Sequence, residues 1–182
     1  MIALAVFPAW GLAYQSATSV GPTSADLDVW KAIFGQPGRK YAILNNTLPS
    51  SRIRGTSADL KERSDAELLE TMVRRNEVSV ALSPQLLATL NLPIVDIQSI
   101  RKATASADLA REFDYDAIRT QFGQKGRKVI RVSLPAFSAD GNRVALCYWW
   151  CGGFEDAGGE GLILQREQGR WVTIAGFGVW IT

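Results

Sequence analysis

Apolar residues recur at helical spacing through most of the chain and at every second position after residue 128, and this change of period sets the expected architecture. Leu27, Val29, Trp30, Ile33 and Phe34 form the first stripe, which predicts a helix over residues 25–34 ended by Gly35 and Pro37. Residues 40–44 read as a short strand and 45–51 as a turn-rich loop. The clearest helix starts at Ser64. There Ser64 and Glu67 have the spacing of a capping box, Leu68, Leu69, Met72 and Val73 share a face, and Asn76 closes the segment. Ser83 before Pro84 opens a shorter helix through Leu86, Leu87 and Leu90, which Pro93 blocks. Ile94, Val95, Ile97 and Ile100 fit either a strand or the entry to another helix, because a short β-branched run does not separate the two. Residues 106–122 mix charged and aromatic positions at helical spacing as far as Gly123.

Beyond that point apolar and polar positions alternate. Residues 129–134, 143–150, 161–167 and 170–174 predict strands, with turns at 138–142, around Asp140 and Gly141, and at 167–169. Residues 177–182 supply a further strand. Helices first and strands afterwards predict an α+β domain, with N-terminal helices packed on one face of a C-terminal antiparallel sheet of about four to five strands.

At 182 residues, one domain over positions 26–182 is expected, and no internal repeat argues for a second. The opening apolar run, residues 1–13, reads as a secretory signal, with a buried N-terminal element as the alternative. Residues 14–25, rich in Ser, Thr, Gly and Pro, read as a flexible tail. The run is shorter than the roughly twenty residues a membrane span needs. The expectation is therefore a periplasmic or secreted protein without stable membrane insertion after signal removal.

Charge and composition narrow the chemistry. Twenty basic and eighteen acidic residues leave a formal charge of +2, too little to favour nucleic acid. Histidine is absent, which rules out serine–histidine and cysteine–histidine machinery within the chain, and two cysteines cannot build a structural zinc site. No cofactor or metal is expected. Asn45 and Thr47 match a glycosylation acceptor, and Arg74 with Arg75 reads as a solvated helix end or, alternatively, an anion site.

One segment is not explained by core building. Residues 151–161 hold five glycines beside Glu155, Asp156 and Glu160 and are flanked by Trp149, Trp150 and Phe154, which predicts a glycine-rich loop. Three carboxylates there are candidates for paired acid and base or for calcium, against the plainer reading of a solvated connection. The double glycines do not make a phosphate loop, because no Lys-Ser or Lys-Thr pair follows them. Cys147 and Cys151 would share one strand face about 13 Å apart, too far for a disulfide, so a buried Cys147 and a loop Cys151 are expected. Adjacent Trp149 and Trp150 must point to opposite faces, which makes one of them a candidate anchor for a partner. Trp171 and Trp180 are expected in the core.

Ala145, Leu146, Cys147 and Tyr148, followed by Cys151, Gly152 and Gly153, then by Gly169, Arg170 and Trp171 and a terminal Trp180, Ile181 and Thr182, resemble a signature of uncharacterised bacterial exported proteins. Phe137 and the turn to Arg143 are similar to the segment that precedes it. The likeness covers the last third of the chain. It implies export and this fold and brings no activity. The second loop cysteine of the group is missing from residues 154–159, so the resemblance does not extend to a loop disulfide.

The expected function is binding to another envelope protein, of an inhibitor or immunity type, through residues 150–161. The expected contacts are Trp149, Trp150, Cys151, Phe154, Glu155, Asp156 and Glu160. The alternative is a carboxylate-dependent hydrolase of cell-wall or polysaccharide material.

Overall fold

The structure, a computed structural model, describes residues 21–36, 40–54, 65–101, 113–153, 156–178 and 180–181. Four α-helices are present among them: α1 (Ser24–Phe34), α2 (Ala66–Arg75), α3 (Pro84–Ala88) and α4 (Tyr115–Gln121). The strands are β1 (Tyr41–Leu44), β2 (Ile53–Arg54), β3 (Ile94–Val95), β4 (Lys128–Val132), β5 (Ala136–Phe137), β6 (Arg143–Gly153), β7 (Asp156–Glu167), β8 (Arg170–Gly178) and β9 (Trp180–Ile181). Seven of them form one open sheet in the order β3-β1-β4-β6-β7-β8, with β5 paired to β6, while β2 and β9 form a separate antiparallel pair.

The protein is α+β, but its sheet is larger than expected and mixed. β1 lies parallel to both β3 and β4, and only from β4 onward is the pairing antiparallel. Joining β1 to β3 in parallel needs a long crossover, and α2 and α3 lie within it.

Strand alternation sorts the apolar residues into two clusters. Ala42, Leu44, Val129, Ala145, Cys147, Trp149 and Ile163 join Leu68, Leu69 and Met72 of α2 and Ile118 of α4. Ile43, Ile130, Val132, Val144, Leu146, Tyr148, Leu162 and Leu164 join Val29, Trp30, Ile33 and Phe34 of α1 and Leu87 of α3. Helical side chains therefore enter both clusters, which the expectation of helices on one face does not describe. A sheet whose central strands are apolar on both sides requires two covers.

Two helix ends differ from expectation for electrostatic reasons. The capping box belongs to α1, where the Thr23 backbone N–H and hydroxyl donate to Asp26 at 2.7 and 3.0 Å. Ser64 lies outside the described residues, and Asp65, the N-cap of α2, makes no side-chain cap. Its carboxylate meets the Arg143 guanidinium at 2.6 Å instead. Arg75 is no solvated helix end, because its two terminal nitrogens clamp the fully buried Asp26 at 2.8 and 2.7 Å. Asn76 does close α2, and its buried amide exchanges hydrogen bonds with the backbone of Leu134.

The glycosylation reading is not retained. The Asn45 amide is engaged by Asp96 and by the N–H of Ile97, and Thr47 is buried.

No described helix is long and apolar enough to cross a membrane. The signal, the tail to residue 20 and residues 106–112 of the predicted helix lie outside the described residues.

Candidate functional site

The predicted glycine loop is the end of a long hairpin. β6 runs to Gly153 and β7 begins at Asp156, so Cys151, Gly152 and residues 156–160 are strand. Phe154 and Glu155 lie outside the described residues.

The glycines are compatible with strand because aromatic rings lie over them. Gly158 faces Trp150 in the ladder, and a Cβ on Gly158 would come within 2.6 Å of that indole. Gly161 faces Phe177 of β8, whose ring occupies the place a Cβ would take. A ring laid over a cross-strand glycine covers the exposed backbone and restores packing that glycine cannot supply. Gly152 has a third role. A Cβ there would come within 2.5 Å of the Asp156 carboxylate, which pairs with Lys128 at 2.6 Å.

The two tryptophans separate as the pleat requires. Trp149 is buried and stacked on Phe113 with ring centroids 4.9 Å apart. Trp150 is half-buried on the opposite face, beside Tyr148 at 5.6 Å and beneath the Lys128 ammonium at 5.9 Å. Trp149 therefore belongs to the core and leaves the candidate contact surface. Trp171 is only half-buried. An extra residue in β8, Ile174, shifts the register between Ile163 and Leu164, so Trp171 faces the cluster of α1 while Phe177 faces that of α2. The side chain of Trp180 is outside the described residues.

Around Trp150 lies an open groove of about 380 Å³ lined by Lys40, Tyr41, Gly126, Lys128, Tyr148, Trp150 and Glu160. Its position follows from α1. Phe34, the last residue of that helix, packs edge-on against Tyr41 at 5.8 Å and Tyr148 at 5.1 Å, and the groove opens beyond those rings. The Tyr148 hydroxyl donates to Glu160 at 2.5 Å. A second hollow of about 410 Å³ on the other side of this pair is lined by Ile33, Gln36, Leu162, Trp171 and Thr173 among others.

Asp156 and Glu160 do not stand as a pair. Asp156 is held by Lys128 and Glu160 by Tyr148. They stand four residues apart on β7, about 13 Å between Cα atoms, with Gly158 and the overlying Trp150 between them. The spacing of roughly 5–9.5 Å that glycosidase carboxyls use would require both side chains to turn from these partners across the indole. Among the described residues, no group of three or more Cys, Asp and Glu is arranged to hold a metal ion.

Cys151 is not a loop residue. It and Cys147 are thiols, not joined in a disulfide, buried on the same face of β6. Burial pushes the Cys147 thiol up to about 12. At pH 8 an aromatic disulfide reagent should therefore find neither thiol within minutes in the native protein and both in denaturant. Rapid native labelling would contradict this burial. Below pH 9 both folded and unfolded Cys147 carry the proton. From about pH 9 to 12 the unfolded thiol ionises first, so Cys147 should reduce stability progressively across that window in urea titrations.

Lys40, Tyr41, Lys128 and Tyr148 were not among the expected site residues. Period two alone would place Tyr148 beside Trp150. Nothing local signals Lys40 and Lys128, which the parallel pairing of β1 with β4 brings together. No protein-family model matches the chain, and no curated protein or solved structure matches it.

Proposed function

We propose that the protein is an exported binding protein whose β6–β7 ribbon engages another protein of the cell envelope, in the manner of an inhibitor or immunity partner. The observation that carries this reading is the setting of Trp150. Its indole is held over Gly158, is half-buried before any partner arrives, and borders a groove with charged and hydroxyl groups along its rim. A large, pre-positioned aromatic surface with a polar surround is the usual anatomy of a binding hot spot, because little side-chain freedom remains to be lost on contact. Export draws its support from the C-terminal signature and the apolar opening run.

The hydrolase reading rests on the 2.5 Å contact of Tyr148 with Glu160. Among the described residues Asp156, held by Lys128, does not supply Glu160 with the second carboxylate that the chemistry requires.

Trp150→Ala should leave the fold intact and lower recovery of a partner from envelope extract at least about ten-fold, the effect of losing a central aromatic anchor. Undiminished capture by a folded Trp150→Ala variant would remove the proposal. Release of sugar from cell-wall material, abolished by Glu160→Gln, would replace it with the hydrolase.

A further inference from the structure

We propose that the groove beside Trp150 selects an acidic segment of its protein partner, seating a carboxylate between Lys40 and Lys128. This rests on the binding reading above and specifies what is bound.

The charges along the groove are unequally engaged. Glu160 is occupied by Tyr148, and Lys128 by Asp156. Lys40 lines the same groove, its ammonium beside Gly126, and among the described residues it makes no ion pair. Lys128 follows the chain of β1 closely, since its N–H donates to the Lys40 carbonyl at 2.9 Å and it pairs with Tyr41. Two lysines thereby line one groove with Trp150, the Lys128 ammonium over the indole and that of Lys40 beside Gly126.

Asp156 acts in this arrangement as an internal stand-in for the partner's carboxylate. Its pair with Lys128 is solvent-exposed, with 40% of the lysine and 56% of the aspartate side chain accessible, and exposed pairs are weak enough to exchange. A partner carboxylate that replaces Asp156 can contact Lys128 and Lys40 together, which Asp156 alone does not. The adjoining indole accepts the apolar stem of the same side chain. Among the described residues the lining contains lysine and no arginine, so it offers point charges rather than the planar fork that favours phosphate. A pocket of this size accommodates side chains of one peptide segment.

The full chain would be titrated at low salt with capped hexaglutamate, capped hexaglutamine and trigalacturonate, following Trp emission and heat. Hexaglutamate should bind and hexaglutamine should not, and binding should weaken as salt is raised, because exposed charges are screened. Lys40→Gln should weaken hexaglutamate on the order of three-fold or more. Asp156→Asn, which removes the competitor, should tighten it by a similar factor.

Equal binding of hexaglutamine, or no binding of hexaglutamate, would overturn the inference. So would an Asp156→Asn variant that binds no better than the parent. Binding of trigalacturonate alone would reassign the groove to acidic saccharides and also overturn it. The two readings separate in partner capture. If Trp150→Ala abolishes capture while Lys40→Gln and Asp156→Asn leave it unchanged, only the acidic selectivity falls. If Trp150→Ala leaves capture intact, the binding site itself is lost.

Discussion

Asp26→Ala is expected to lower the unfolding free energy by about 3–5 kcal/mol, the range for breaking one side of a buried ion pair. Asp26 is fully buried and receives four hydrogen bonds, two from the backbone and hydroxyl of Thr23 and two from Arg75. Removing its carboxylate takes away half of the capping box of α1 and leaves a guanidinium whose remaining described contact is the carbonyl of Pro135. Arg75 keeps 22% of its side chain in solvent, which places this truncation toward the lower end of the range. Arg75→Met should cost at least as much, because the charge it strands has no access to water. The double variant Asp26→Leu/Arg75→Met should recover much of the loss, since no charge is then left without a partner. Urea midpoints at unchanged m-value measure all three. A loss below about 1 kcal/mol for Asp26→Ala would show that the clamp between α1 and α2 contributes no more than a surface pair.

Gly161→Ala is expected to destabilise by about 1–3 kcal/mol, the usual effect of forcing extra atoms into a packed site. The added methyl would occupy the place of the Phe177 ring, which packs against the cluster of α2 and α4. Gly178 is the control. It lies in the neighbouring strand with open space around it, so Gly178→Ala should be neutral or slightly stabilising through reduced freedom of the unfolded chain. In a Phe177→Ala background most of the Gly161→Ala penalty should disappear, and a double-mutant cycle reads that coupling directly. Equal effects at Gly161 and Gly178 would mean that the ring moves aside freely and that the glycine is not required by packing.

Much of the architecture was legible where the signal is local. The stripe of Leu68, Leu69 and Met72 marked α2, and Ser83 with Pro84 marked the start of α3, with the Ser83 hydroxyl accepting from Leu86 as expected. The pleat placed Trp149 and Trp150 on opposite faces. The turns at Gly141 and Gly169 were legible because the positive φ at each favours glycine.

Other features were not legible for physical reasons. The run from Cys151 to Gly161 has the composition of a loop, and only the rings of Trp150 and Phe177, supplied by neighbouring strands, make it a sheet. Arg75 looked like a helix end in water because its partner lies at the other end of the fold's first helix. The mixed sheet escaped because β1 is only four residues long and its parallel neighbours are distant in sequence.

By itself the sequence determined the apolar stripes of α1, α2 and α3, the alternation of β4 and β6, and that no histidine-based chemistry is available, because backbone period and side-chain inventory are local properties. Tertiary structure alone decided that glycines become strand, that a carboxylate and a guanidinium meet in the interior, and that two lysines and one indole share a groove. Those outcomes depend on which distant strands pair, and a ladder of hydrogen bonds between remote segments leaves no periodic trace in either one.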